Sequence, residues 1–120
     1  MEFIGLAILV ILILLYARRM KPGKNIKQIS TAELKKKLGN PSTQFIDVRT
    51  QGEFKGRHIK GFKNIPLNTL HKNLDKLSKD KEVVVICQSG MRSAKAGNIL
   101  SSSGFTSVTN VRGGMSAWSN

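Results

Sequence analysis

The stretch Glu82-Val83-Val84-Val85-Ile86-Cys87 constrains the fold more than any other part of the chain. A row of β-branched residues favours a strand, and the lack of polar alternation requires both faces of that strand to be buried. Parallel sheets covered by helices on both sides meet that requirement; a two-layer antiparallel sheet with one wet face does not. The strand runs into a short polar loop, Gln88-Ser89-Gly90-Met91-Arg92. A helix is predicted from Ser93 to Ser103, with Ala94, Ala96, Ile99 and Leu100 as its inner stripe and Gly104 as its stop.

The remaining segments fit the same plan. Ser30 and Glu33 have capping-box spacing ahead of a helix through Leu34 to Leu38, ended by Gly39. Gln44–Val48 and Ser107–Val111 read as strands, and Asn64-Ile65-Pro66 as a short extended piece. Leu67, Leu70, Leu74 and Leu77 recur at helical spacing. Gly113-Gly114 turns into a last short helix containing Ala117 and Trp118. Strands alternating with helices over short loops predict an α/β fold with a mostly parallel sheet.

The N-terminus is of a different kind. Phe3 to Ala17 carries no charge and no proline. Fifteen residues of helix rise about 22 Å, short for a span, but Met1 at one end and Arg18 and Arg19 at the other extend the reach. Glu2 replaces the basic n-region of a signal peptide, and no small-residue cleavage site follows. These features predict a single transmembrane anchor over residues 1–20 and a linker over 21–27 broken by Pro22-Gly23. A folded unit follows over 28–120. Arg18, Arg19, Lys21 and Lys24 follow the apolar run, so the positive-inside rule places the folded unit on the cytoplasmic side of the plasma membrane.

The formal net charge is +13, and 16 basic against 6 acidic side chains remain from residue 25 onward. The lysines are scattered, with no aromatic interleaving and no nucleic-acid module, so the sequence predicts no nucleic-acid partner. The reading is a basic surface beside an anionic bilayer, able to attract small anions. Cys87 is the single cysteine, which excludes an internal disulfide and an internal dithiol cycle. One Cys and two distant His residues match no zinc spacing, and neither a metal nor another cofactor is expected.

Cys87 lies where open parallel sheets bind ligands, beyond the carboxyl end of a strand. A thiolate is the nucleophilic form of cysteine. Inward-pointing backbone N–H groups of residues 88 to 92, the following helix N-terminus and the charge of Arg92 would all favour it, with Gly90 free to take positive φ. Asp47 and Arg49, at the end of a neighbouring strand, are expected to orient the loop through hydrogen bonds rather than to react. His58 reads as a structural hydrogen-bonder, His71 as a surface residue and Trp118 as packing.

Three segments, in order, resemble the rhodanese family of sulfurtransferases. The first is Asp47-Val48-Arg49 with Glu53-Phe54, followed by His58-Ile59, Gly61 and Asn64-Ile65-Pro66; the second is Cys87 to Ser93; the third is Gly113-Gly114-Met115 with Ala117-Trp118. The resemblance covers most of residues 25 to 120 and implies a rhodanese-like fold, five mostly parallel strands flanked by helices. It implies that Cys87 takes sulfane sulfur from a small anionic donor such as thiosulfate, or from a persulfide, holds it as a persulfide, and passes it to a thiophilic acceptor, among them a protein. Gln88, Ser89, Gly90, Met91 and Arg92 would bind the anionic sulfur species, with Asp47, Arg49 and Ser93 in support. Two positions depart from the family pattern: Arg57 stands where glycine is common, and Gln88 where arginine is common.

Two other functions use the same cysteine. A membrane-tethered persulfide carrier would load once and await a protein partner. A phosphatase or arsenate reductase would share the architecture, but its loop has five residues between Cys and Arg; here four intervene, Gln88 to Met91.

Overall fold

The computed structural model describes residues 2–20 and 26–119. Helix α1 spans Glu2–Met20. The elements that follow are β1 (Ile26–Ile29), α2 (Thr31–Lys37), β2 (Thr43–Asp47), α3 (Gln51–Gly56), β3 (Lys63–Asn64), β4 (Glu82–Ile86), α4 (Met91–Ser102), β5 (Val108–Val111) and α5 (Gly114–Ala117). The five strands form one sheet in the order β1-β5-β4-β2-β3. Every pairing is parallel.

Strand β4 sits at the centre, and its side chains explain why. Val83 and Val85 face one apolar layer with Ala96 and Leu100 of α4, and Cys87 just beyond the strand joins that layer. Val84 and Ile86 face the other, with Leu34 of α2, Met115 of α5 and Trp118. All four β4 residues from Val83 to Ile86 are fully buried, as a β-branched run without alternation requires.

The α2 capping box is formed as read: the Ser30 hydroxyl accepts from the Glu33 amide at 3.1 Å, and the Ser30 amide donates to Glu33 Oε1 at 3.2 Å. A second box, Thr50 with Glu53, starts α3, a helix the apolar pattern does not announce because it buries no residue. The leucine-spaced segment is not one α-helix. It forms two 3₁₀ turns, Leu67–Lys72 and Leu74–Lys76, separated by Asn73. Bonds from the Thr69 amide to the Pro66 carbonyl and from the Asn73 amide to the Leu70 carbonyl, both 2.9 Å, tighten it to three residues per turn. Leu70 is still fully buried, so the leucine spacing reports the core contact and not the helix type. Helix α4 begins at Met91, two residues before the expected start, with Gly90 at φ 105° as its N-cap.

Strand β1 begins at Ile26, inside the stretch read as linker, while residues 21–25 lie outside the described residues. The transmembrane span expected over residues 1–20 is not supported: among the described residues no helix is long and apolar enough to cross a membrane. The uncharged run rises about 22 Å, against a hydrocarbon core of about 30 Å. Its side chains from Phe3 to Tyr16 are nonetheless exposed.

Candidate active site

Cys87 follows β4 directly and is buried. The loop after it folds back so that the Gly90 amide donates to Cys87 Sγ at 3.0 Å. The left-handed φ of Gly90, +105°, permits this return. Ser93, one turn into α4, places its hydroxyl 3.3 Å from Sγ and donates to the Gly90 carbonyl at 3.2 Å. That single proton serves two acceptors, so it can turn to the sulfur when the thiol ionises. Burial pushes the Cys87 thiol up, but the Ser93 hydroxyl and the amides of Ser93, Gly90 and Ser89 outweigh it and hold the thiol below its ordinary value.

The loop is braced from two sides. On one side, the Met115 amide donates to the Cys87 carbonyl at 2.8 Å and the Ser116 amide to the Gln88 carbonyl at 2.9 Å. Gly114 is required there: a Cβ on it would overlap the Cys87 carbonyl oxygen. On the other side stands a buried ion pair. Asp47 accepts from the Arg49 amide at 3.0 Å and from the Arg49 guanidinium at 2.9 Å. Arg49 also donates to the Arg57 carbonyl at 2.6 Å and to Gln88 Oε1 at 3.4 Å. The Gln88 amide group completes the link by donating to Ser116 Oγ at 3.2 Å. Gln88 therefore ties the ion pair to α5, with both ends of its side chain occupied by protein. Asn64 donates to the carbonyls of Asp47 and Arg49, both at 3.0 Å.

Arg92 does not stand alone over the loop. Its guanidinium forms a two-point pair with Glu53, at 2.6 and 3.0 Å, and about a third of each side chain is exposed. The Arg92 hydrogen bond holds the Glu53 carboxyl down at about 2, and the same bond raises Arg92 further. Met91 is 74 % exposed, unlike every other large apolar side chain the structure describes after residue 25. Ser89 is exposed at the loop's outer edge. His58 Nδ1 donates to the Phe54 carbonyl at 2.8 Å, and the His58 ring stacks on the Phe54 ring. Among the described residues, no group of three or more His, Cys, Asp or Glu side chains could hold a metal ion.

Sequence reasoning brought together Cys87, the 88–92 loop, Ser93, Asp47 and Arg49, and the structure gathers the same residues at one end of the sheet. It missed Ser116 and the role of Gly114. It also missed Glu53 as the partner of Arg92, although the Thr50-x-x-Glu53 spacing that positions this carboxylate is a readable cap signal.

The chemistry available is nucleophilic attack by a stabilised thiolate, with amide donors for the anion that results. Residues 30–120 match the family model described as "Rhodanese-like domain". YtwF of Bacillus subtilis is 43% identical over 94 residues, which is 78% of this chain and 90% of that protein. The thiosulfate sulfurtransferase GlpE of Shewanella oneidensis is 31% identical over 94 residues, covering 78% of this chain and 93% of GlpE. The crystal structure of a rhodanese-like domain protein from Staphylococcus aureus superposes with a TM-score of 0.72 at 39% identity, covering 78% of this chain and 92% of that one. Other relatives are longer: the chain spans 65% of YqhL and 51% of YrkF, both of Bacillus subtilis. With its five parallel strands and its cysteine loop, the chain belongs to the rhodanese-like domain family of sulfurtransferases.

Proposed function

We propose that Cys87 carries sulfane sulfur from thiosulfate or a persulfide donor to a thiophilic acceptor. The observation that carries this reading is the Sγ environment: one amide at 3.0 Å, one hydroxyl at 3.3 Å, and no carboxylate among its partners. In loading, the Cys87 thiolate attacks the outer sulfur of thiosulfate. The new S–S bond forms as the old one breaks, and sulfite leaves with the electron pair. In discharge, the acceptor attacks the outer sulfur of the persulfide, and Cys87 leaves as the thiolate. Charge balances in both steps and no external oxidant is needed.

The amides of residues 88 to 92 serve the anionic outer sulfur, Ser93 supports the thiolate, and Asp47 and Arg49 hold the loop. Arg92 serves as an electrostatic wall rather than a direct ligand, because Glu53 occupies it. That pairing also weighs against the phosphatase alternative, whose arginine must face the oxyanion. GlpE, by its name a thiosulfate sulfurtransferase, supports thiosulfate as the first donor to try. Multiple turnover of thiosulfate and cyanide to thiocyanate and sulfite tests the enzyme reading. A single loading event followed by a stall would instead indicate a carrier that waits for a protein acceptor.

The same proposal places the chain at the cytoplasmic face of the plasma membrane, attached through the exposed apolar side chains of α1 and the basic cluster from Arg18 to Lys24. Membrane fractionation with and without residues 1–24 tests it: recovery of the shortened chain with the lipid fraction would refute attachment by this segment.

A further inference from the structure

Helix α5 holds the cysteine loop through two amide bonds, yet it has little to hold itself. A single turn of helix is not stable alone. It buries only Gly114 and Met115, and no side chain caps its start. Contacts at its far end therefore decide how firmly it sits.

Arg57 makes such a contact. Its Nη2 donates to the Trp118 carbonyl at 3.1 Å, across 61 residues of chain. Arg57 lies at the end of α3 and is exposed. Arg49 and Arg92 each face a carboxylate, whereas Arg57 has no acidic partner among the described residues. Its charge is aimed at a backbone carbonyl past the end of α5, where a helix leaves acceptors without partners. Thr31 reaches the neighbouring Ala117 carbonyl at 3.3 Å, so removing the Arg57 side chain loosens α5 without releasing it.

The backbone of Arg57 is tied to the other side of the site. Its carbonyl accepts from Arg49 Nη2 at 2.6 Å, and Arg49 Nη1 donates to Gln88 Oε1 at 3.4 Å. Gln88 Nε2 donates to Ser116 Oγ at 3.2 Å. The chain then runs from Ser116 through Ala117 back to Trp118. These links close a ring, Trp118–Arg57–Arg49–Gln88–Ser116, that joins α3, the cysteine loop and α5. Both residues that depart from the family pattern, Arg57 and Gln88, are members of it. The hydrogen bonds at Cys87 Sγ come from elsewhere, from Gly90 and Ser93.

We infer that Arg57 is a positioning residue for the chemistry of Cys87: its side chain fixes α5 from outside, and α5 fixes the carbonyls of Cys87 and Gln88, so that the loop amides stay aimed at Sγ. This inference rests on the persulfide reading of Cys87. Arg57 touches neither the sulfur nor the donor. Its effect passes through the Met115 and Ser116 amides, which hold those two carbonyls at 2.8 and 2.9 Å.

The test compares full-length wild type, Arg57→Ala, Arg57→Lys and Lys60→Ala, each first shown to be folded by Trp118 fluorescence. Lys60 is an exposed cation in the same segment, and its variant controls for the loss of one positive charge. Loading by thiosulfate is followed by intact mass over a range of donor concentrations. Arg57→Ala should lower the maximal loading rate about fivefold, the equivalent of one net hydrogen bond. Arg57→Lys keeps a charged donor on a long side chain and should recover at least half of that loss. Lys60→Ala should leave the maximal rate unchanged. A second readout needs no donor: the ultraviolet band of the thiolate, titrated with pH against Cys87→Ser as blank. Its midpoint should move upward in Arg57→Ala and return toward wild type in Arg57→Lys. A wild type that does not load would count against the persulfide reading, and the thiolate titration would still decide the role of Arg57. An Arg57→Ala chain with an unmoved thiolate midpoint would overturn the inference. So would a change confined to low donor concentration and shared by Lys60→Ala, because that is the signature of charge attraction and not of positioning.

Discussion

Gly114→Ala isolates the contact between the C-terminal segment and the cysteine loop. Gly114 has φ +55°, and an added Cβ would lie 2.9 Å from the Gln88 carbonyl carbon and oxygen and closer still to the Cys87 carbonyl oxygen. Those obstacles are backbone, so they cannot swing aside. Left-handed backbone at alanine costs about 1 kcal/mol. Relieving the overlap separates α5 from the loop and weakens two backbone hydrogen bonds, Met115 to Cys87 and Ser116 to Gln88, each worth about 1 kcal/mol. The expected loss is about 3 kcal/mol, or about 10–20 °C in Tm for a unit of this size. The single tryptophan, Trp118, is buried next to α5 and reports both urea and thermal unfolding by fluorescence. Gly52→Ala is the control: it lies in α3 with nothing within 4 Å of the added carbon, and it should be neutral or slightly stabilising. The variant that folds should also load sulfur more slowly, because the loop carbonyls have lost their anchors. A Gly114→Ala chain within about 0.5 kcal/mol of wild type, with unchanged loading, would refute the bracing argument.

Other perturbations separate the remaining roles. Ser93→Ala removes a hydroxyl that favours the thiolate, so the pH midpoint of thiosulfate loading should lie below that of an ordinary thiol in wild type and move upward in the variant; an unmoved midpoint would discount the hydroxyl. Arg49→Ala strands the buried Asp47 carboxylate and should cost about 3–5 kcal/mol in urea unfolding. Glu53 has a depressed folded pKa, so its contribution to stability is present above its unfolded value near 4.5 and is lost as pH falls toward about 2. With a third of each partner exposed, that contribution is at most about 1 kcal/mol. Glu53→Gln should flatten the acid limb of the stability curve between those pH values, and an unchanged limb would remove the pair from the account.

The central strand was legible because a continuous β-branched run has one comfortable environment, a sheet covered on both faces. The α2 cap was legible because Ser30 and Glu33 act over three residues of chain. Strand β1 was not: Ile26-Lys27-Gln28-Ile29 buries only Ile29, and it becomes a strand by pairing with β5, some eighty residues away. The 3₁₀ turns were hidden for another reason, since leucines three and four apart serve either helix type. At the site, the cysteine, the loop and the Asp47–Arg49 pair could be read from local order. The Glu53–Arg92 pair and the Gln88 tie to Ser116 join segments 39 and 28 residues apart, and no local pattern encodes such contacts.

The most direct test of the account is intact-mass spectrometry of the full chain after incubation with thiosulfate, beside Cys87→Ser. The account predicts that the wild type gains the mass of one sulfur atom, that cyanide removes it, and that the variant gains none. A sulfur adduct on the Cys87→Ser chain, or a wild type that gains no sulfur from thiosulfate or from an organic persulfide, would contradict it.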